Sequence, residues 1–204
     1  MKKINWTWIV IIFFALWAVR ELVLTQLIPR VEPISEALSK IILWVGLPAA
    51  YIYLSDKKNP IKYFRLDKFP KTAVFWGLGL GIIYVLGALI INGFNPKISA
   101  SVDDWLNGFI LVGLTEEVFF RGFFMRKLEE KMLFWKANIW QAVLFVLIHV
   151  PTWISTREFS FSTTLPFVLF FGLAMGYLTK KTDSLWPAII FHSLADFAVI
   201  VLLY

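Results

Sequence analysis

Apolar residues fill seven long stretches of this chain, and polar residues gather in the short segments between them. The stretches run Ile4 to Ile28, Ile34 to Leu54, Thr72 to Ile91, Trp105 to Met125, Ala137 to Ile154, Thr163 to Thr179 and Leu185 to Leu203. A helix crosses a bilayer in ~20 mostly apolar residues. The stretches are too long for barrel strands, and lipid cannot satisfy an exposed backbone, so each predicts a helix. The pattern predicts an all-α, polytopic transmembrane helix bundle of about seven spans (six to eight), with residues 1–204 as a single integral membrane domain. Met1-Lys2-Lys3 before the first run resembles the start of a signal peptide. No small-residue cleavage site follows, and Leu16-Trp17-Ala18-Val19 leads into Arg20-Glu21, so the run is expected to stay as the first span.

Composition makes the bilayer the solvent. Of 204 residues, 59% are hydrophobic and 17% charged, against about 45–50% and about 25% in soluble domains. The absence of cysteine excludes a disulfide framework, a thiol nucleophile and thiolate metal ligation. The net charge of +6 forms no basic stripe on a soluble face, so nucleic acid is not an expected partner. The charges report topology instead. One choice of sides puts Lys2, Lys3, Lys57, Lys58, Lys62, Arg65, Lys68, Lys71, Arg126, Lys127, Lys131, Lys136, Lys180 and Lys181 together. It leaves Arg30, Lys40, Lys97 and Arg157 on the other side. The positive-inside rule then gives a cytoplasmic N-terminus and an external C-terminus. The 55–71 loop mixes Tyr63, Phe64, Leu66 and Phe69 with its lysines. It reads as a topology-setting loop or as an amphipathic segment on the anionic leaflet.

Six ionisable residues lie inside the later spans: Glu116, Glu117, Arg121, His149, His192 and Asp196, which include both histidines of the chain. Facing lipid, such a set would cost on the order of 10 kcal/mol, so it must face the bundle interior or a wet cavity, where such residues are functional by default. Glu117 and Arg121 are i, i+4 and share a helix face. Glu116 points about 100° away and is left free to face a reaction centre. His192 and Asp196 are also i, i+4, and His149 follows Phe145 by one turn.

These residue types suit hydrolysis. A carboxylate and a neutral imidazole can take a proton from a shared water, and a second histidine with an aspartic acid can bind a developing oxyanion. Alternatively Glu116, His149, His192 and Asp196 could hold a zinc ion that activates the water. Spacing alone leaves both open.

The segment Thr115-Glu116-Glu117-Val118-Phe119-Phe120-Arg121-Gly122 resembles the EExxxR motif of the CPBP (CAAX protease and bacteriocin-processing, or Abi) family. Phe145 to His149 resembles its FxxxH motif, and His192 to Asp196 its HxxxN/D motif. The likeness covers roughly Leu111 to Phe197. Residues 105–204 are accordingly expected to form the catalytic core, and 1–104 to be N-terminal spans of undiagnostic sequence. The resemblance implies an intramembrane endopeptidase acting on a membrane-associated substrate, of CAAX or bacteriocin-leader type, lipidated or membrane-inserted. Glu116 and His149 would activate water, and His192 and Asp196 would stabilise the oxyanion. Glu117, Arg121 and Phe145 would organise the site. The version preferred here requires no cofactor. Asp196 stands where the CAAX branch has Asn, so it must be protonated to donate.

Two other functions fit the same residues. A non-catalytic bacteriocin-immunity or membrane-interaction protein would keep the scaffold for binding, and a proton-coupled transporter would use the six residues as a relay. Gly77, Gly79 and Gly81 precede no strand-to-helix turn and read as helix packing, as do Gly172 and Gly176. Trp6, Trp8, Trp105, Trp153 and Trp186 read as interfacial anchors. A prokaryotic plasma membrane is the expected location. The oligomeric state has no signature in the sequence.

Overall fold

A computed structural model describes residues 5–24, 27, 32–157, 160–161 and 163–203. The expected ends of the first span, Ile4 and Ile28, lie outside the described residues, as do Lys2, Lys3 and Arg30. Among the described residues eight helices follow in order: α1 (6–24), α2 (Pro33–Leu54), α3 (Pro60–Tyr63), α4 (Lys71–Ile91), α5 (104–129), α6 (Phe134–Thr156), α7 (Thr164–Thr182) and α8 (Trp186–Leu202). There is no strand among the described residues, so the chain is an all-α bundle. Its seven long helices fall on the seven apolar stretches.

Local chemistry sets the helix ends. The Asn5 side chain caps α1 by accepting from the Thr7 N–H, and Asn59 does the same for Lys62 at α3. Proline opens α2 and α3 and stands at the start of α8, where its missing N–H costs nothing. Arg157 and Asp183, in the left-handed region at φ 61° and 49°, stop α6 and α7. Helix α5 is unusual. Its α-helical stretch Val112–Glu117 lies between two wider π-type stretches, Asp104–Leu111 and Val118–Phe124.

The molecule is apolar outside and polar at its centre. Phe75, Ile83, Ile91 and Phe170 are largely exposed, whereas Glu117, Arg121, Asn138 and Gln141 are fully buried. Water would penalise the first set, and a bilayer satisfies it. Helices Trp6–Val23, Pro33–Leu54, Lys71–Ile91 and Phe134–Thr156 are each long and apolar enough to cross a membrane. This is an integral membrane protein.

Small residues bring the helices together. A methyl on Gly77 would meet Ile190 Cβ at 2.9 Å, and one on Gly81 would meet Leu194 Cβ at 2.9 Å, so α4 lies directly on α8. Gly113 on α5 is as close to Ser193 of α8, and Gly172 on α7 to Ala142 of α6. Gly79 differs from the expectation: nothing lies within 4 Å of its would-be Cβ, because two residues along a helix is about half a turn away. Two of the tryptophans also lie inward. Trp6 is buried edge-on against Phe124, and Trp153 packs on His149.

The three basic loops meet at one end of the bundle. Lys127 binds Asp56 and, at 3.0 Å, Glu130. Lys180 binds Glu129 at 2.7 Å, and Arg65 and Lys68 share Asp183. Loop 55–71 is not a free amphipathic strip. Tyr63 and Phe64 are buried, Ser184 donates to the Lys68 carbonyl at 2.6 Å, and Trp186 donates to that of Leu66 at 3.0 Å. At the opposite end Arg20 and Lys40 bind Glu36 at 2.8 and 3.0 Å. The Lys97 and Ser99 N–H groups there donate to Leu202 and Val201.

Candidate active site

Helix α5 supplies three of the expected residues, and its register decides what each can do. Glu117 and Arg121, one turn apart and fully buried, pair at 2.8 Å between Oε1 and Nη1. Arg121 Nη2 donates to the Gly172 carbonyl of α7 at 3.4 Å. Its guanidinium lies 4.3 Å over the Phe145 ring, a cation–π contact. Glu117 is thereby fixed, and Glu116 is turned away from the pair.

Helix α8 carries His192 to the same place. Its Nδ1 lies 2.9 Å from Glu117 Oε1, the oxygen that also binds Arg121. A carboxylate accepts, so Nδ1 carries a proton and Nε2 faces away from Glu117. Nε2 is 3.5 Å from Asp196 Oδ2 and 4.0 Å from Glu116 Oε2. Both carboxylate oxygens are buried without a hydrogen-bond partner. In a native interior such atoms call for an explanation; here they converge on one imidazole nitrogen.

His149 arrives from α6. Its Nδ1 is 2.7 Å from the Phe145 carbonyl. A carbonyl only accepts, so Nδ1 is again the donor and Nε2 keeps its lone pair as a base. The Phe145 ring separates the two histidines, with centroids 4.9 Å from His149 and 6.0 Å from His192. Phe171 covers His192 from α7 at 4.7 Å.

Five expected residues thus form one chain of contacts: Arg121, Glu117, His192, Asp196 and Glu116. His149 joins them through Phe145 and through a shared cavity of about 230 Å³. Among its lining residues are Tyr84, Phe145, His149, Phe171, His192 and Asp196. Among the described residues no hydrogen bond joins His149 to Glu116, so the two reach a common atom only if something between them bridges the gap. Also among the described residues, no three His, Asp or Glu side chains are arranged to hold a metal ion.

Residues not anticipated complete the site. Gln141 Nε2 donates to the Gly172 carbonyl at 2.7 Å and to Asn138 Oδ1 at 2.8 Å. Asn138 Nδ2 donates to the Leu173 carbonyl at 2.9 Å. The signal was present. Asn138, Gln141, Phe145 and His149 recur at helical spacing, which puts two amides on the site-facing side of an apolar helix. Tyr84 of α4 forms a cavity wall and has no distinguishing pattern in the sequence.

The geometry is that of a buried acid–base cluster beside a small cavity, with one imidazole held by a carboxylate and another free to accept a proton. Residues 99–198, which include every one of these residues except Tyr84, match the family model described as type II CAAX prenyl endopeptidase Rce1-like. No curated protein and no solved structure matches the chain.

Proposed function

Through residues 99–198 this chain belongs to the Rce1-like type II CAAX prenyl endopeptidases, a protease family, and on that premise we propose that it is an intramembrane endopeptidase whose water is activated by Glu116 with His149. The observation that carries this reading is the pair of orphaned carboxylate oxygens, on Glu116 and Asp196, directed at His192 beside the cavity. A water bridging His149 and Glu116 would give its proton to the Glu116 carboxylate or to His149 Nε2. Its oxygen would attack the scissile carbonyl carbon, and His192 and Asp196 would bind the resulting oxyanion. Because His192 Nδ1–H already donates to Glu117, donation from Nε2 requires the imidazolium, with the Glu116 and Glu117 carboxylates as the counter-charge, and Asp196 donates as the protonated acid. The proton taken from water then passes to the leaving amine as the peptide bond breaks.

The reading extends to topology and substrate. With the basic loops in the cytoplasm, the N-terminus is cytoplasmic. The substrate is a peptide or protein held at the membrane, lipidated or membrane-inserted. The decisive experiment is cleavage of prenylated and leader-type peptides by purified protein in nanodiscs, wild type beside Glu116→Gln. Glu116→Gln should retain its fold and lose cleavage by at least about 10², the low end for removing a general base. An active Glu116→Gln protein would sink the proposal. Cleavage that withstands a chelator supports metal-free activation, and chelator-sensitive cleavage would make Glu116, His149, His192 and Asp196 candidate ligands.

A further inference from the structure

The loops joined by ion pairs at the basic end also enclose a space. A pocket of about 590 Å³ lies between loop 55–71, the turn that links α5 to α6, and the end of α7. Four cationic side chains, Lys58, Arg65, Arg126 and Lys180, line it beside two carboxylates, Glu129 and Glu130. The lysines already match the carboxylates: Lys180 binds Glu129 at 2.7 Å, and Lys58 binds Glu130 at 3.2 Å. Two guanidiniums remain. Among the described residues Arg126 makes no ion pair; it donates to the Tyr63 carbonyl and lies 4.6 Å over the Tyr63 ring. Arg65 is only 8% exposed. It shares Asp183 with Lys68, and its Nη2 stands 3.9 Å from Glu129. Its Nη1 is buried with no hydrogen-bond partner. Burial, and after it the neighbouring Arg126 guanidinium, push the Arg65 pKa down.

A buried donor without a partner calls for an explanation. Two like charges in one pocket repel, and an anion between them replaces that repulsion with attraction. The start of α6 adds donors. Leu133, which lines the pocket, is its N-cap and has no side-chain oxygen to offer. The first N–H groups of α6, from Phe134 to Lys136, therefore have no partner within the helix, and the positive end of the helix dipole stands at the same wall. The rim, by contrast, is apolar. Leu133 and Trp135 are 76% and 59% exposed, and exposed Ile139 continues the face of Trp135 one turn along α6. A ligand that suits both parts has an anionic head and an apolar tail.

We propose that this pocket is a phosphate site, in which Arg65 and Arg126 grip the phosphoryl oxygens and the start of α6 completes the cradle. A planar guanidinium can bind two phosphate oxygens at once, which a lysine ammonium does not. The phosphate is either free in solution or part of an anionic phospholipid headgroup. The exposed apolar rim favours the lipid, with its acyl chains along the outer face of α6. With the basic loops in the cytoplasm, the pocket meets the leaflet that carries the anionic lipids. The site stands independently of the peptidase reading.

The test is binding of phosphatidylglycerol and, separately, of inorganic phosphate to the full chain in detergent. Native mass spectrometry reads the lipid, and the unfolding temperature reads both. Phosphatidylglycerol should bind and raise the unfolding temperature. Arg126→Gln should weaken binding about tenfold, equivalent to about 1.4 kcal/mol, and Arg65→Gln should do the same. Lys62→Gln removes a charge from the same loop at an exposed position outside the pocket, and should leave binding unchanged. Arg65→Gln also breaks the pair with Asp183, so if it folds poorly the Arg126 variant, which breaks no ion pair, decides. Inorganic phosphate that binds as tightly, with the same need for Arg126, would keep the phosphate site and give it a soluble occupant in place of lipid. Binding of neither ligand, or binding that is equal in Arg126→Gln and Lys62→Gln, would overturn it.

Discussion

Arg121 and Glu117 have no exposure at all, and a buried ion pair behaves asymmetrically. Removing one partner strands the other's charge, at a cost of about 3–5 kcal/mol. Arg121→Ala should therefore unfold far more readily than wild type in detergent, as read by thermal unfolding. Arg121→Lys should recover only part of the loss, because an ammonium cannot span Glu117, the Gly172 carbonyl and the Phe145 face as a planar guanidinium does. Glu116→Gln should leave the unfolding temperature nearly unchanged, since no hydrogen bond holds Glu116 Oε2. The pairing of Glu117, and not Glu116, with Arg121 was legible in the sequence because it depends on one helix's geometry. The bond from His192 to Glu117 was not, since it depends on the register between α5 and α8. The Gly172 carbonyl, gripped by Arg121 and Gln141, was invisible for a simpler reason: a backbone acceptor leaves no mark in the side-chain pattern.

At the scale of the element, the α4–α8 seam is the most sensitive feature. Gly81→Val would drive a side chain into Leu194, and overpacking of this kind costs about 1–3 kcal/mol. The variant should melt earlier and, by shifting α8, carry His192 and Asp196 away from α5, so that cleavage falls with stability. Gly79→Val should do neither, and a Gly79 variant as unstable as Gly81→Val would refute the assignment of the seam. The helices themselves were legible because hydrophobic length alone defines a span. Which glycines pack was only half legible: Gly77 and Gly81 share a face at i, i+4, and Gly79 lies on another. The wide turns of α5 had no signal, since the same residues can form an ordinary α-helix.

For the whole molecule, the charged end works as a clasp that joins the loops at one end of the bundle. Burial raises the Glu130 carboxyl, but hydrogen bonds from Lys127 and Tyr63 and the Lys58 ammonium outweigh it and hold it below the usual range. Burial likewise raises Asp183, and Lys68 and Arg65 outweigh it. A lowered folded pKa contributes stability above the ordinary carboxylate pKa of ~4, which is lost as pH falls through the lower folded value. The unfolding temperature should therefore hold between pH 7 and about 5 and drop below about 4. Removing the Glu130 and Asp183 carboxylates together should flatten that drop, and an unchanged acid limb would refute the clasp. The positive charges had already indicated that these loops share a side, but the acidic partners that join them became visible only once the loops were brought together.

The seam between α4 and α8, pinned at Gly77 and Gly81 in the half nearer the basic loops, has the mechanics of a peg on a pivot. Helix α4 has 21 residues, about 31 Å at 1.5 Å per residue, and α8 is shorter. Lipids with short or long acyl chains would load the two arms unequally, because mismatch is relieved by tilting the longer helix. Bilayer thickness would then set how far the free arms spread, so turnover measured across nanodiscs of graded chain length should pass through an optimum, while the unfolding temperature changes little.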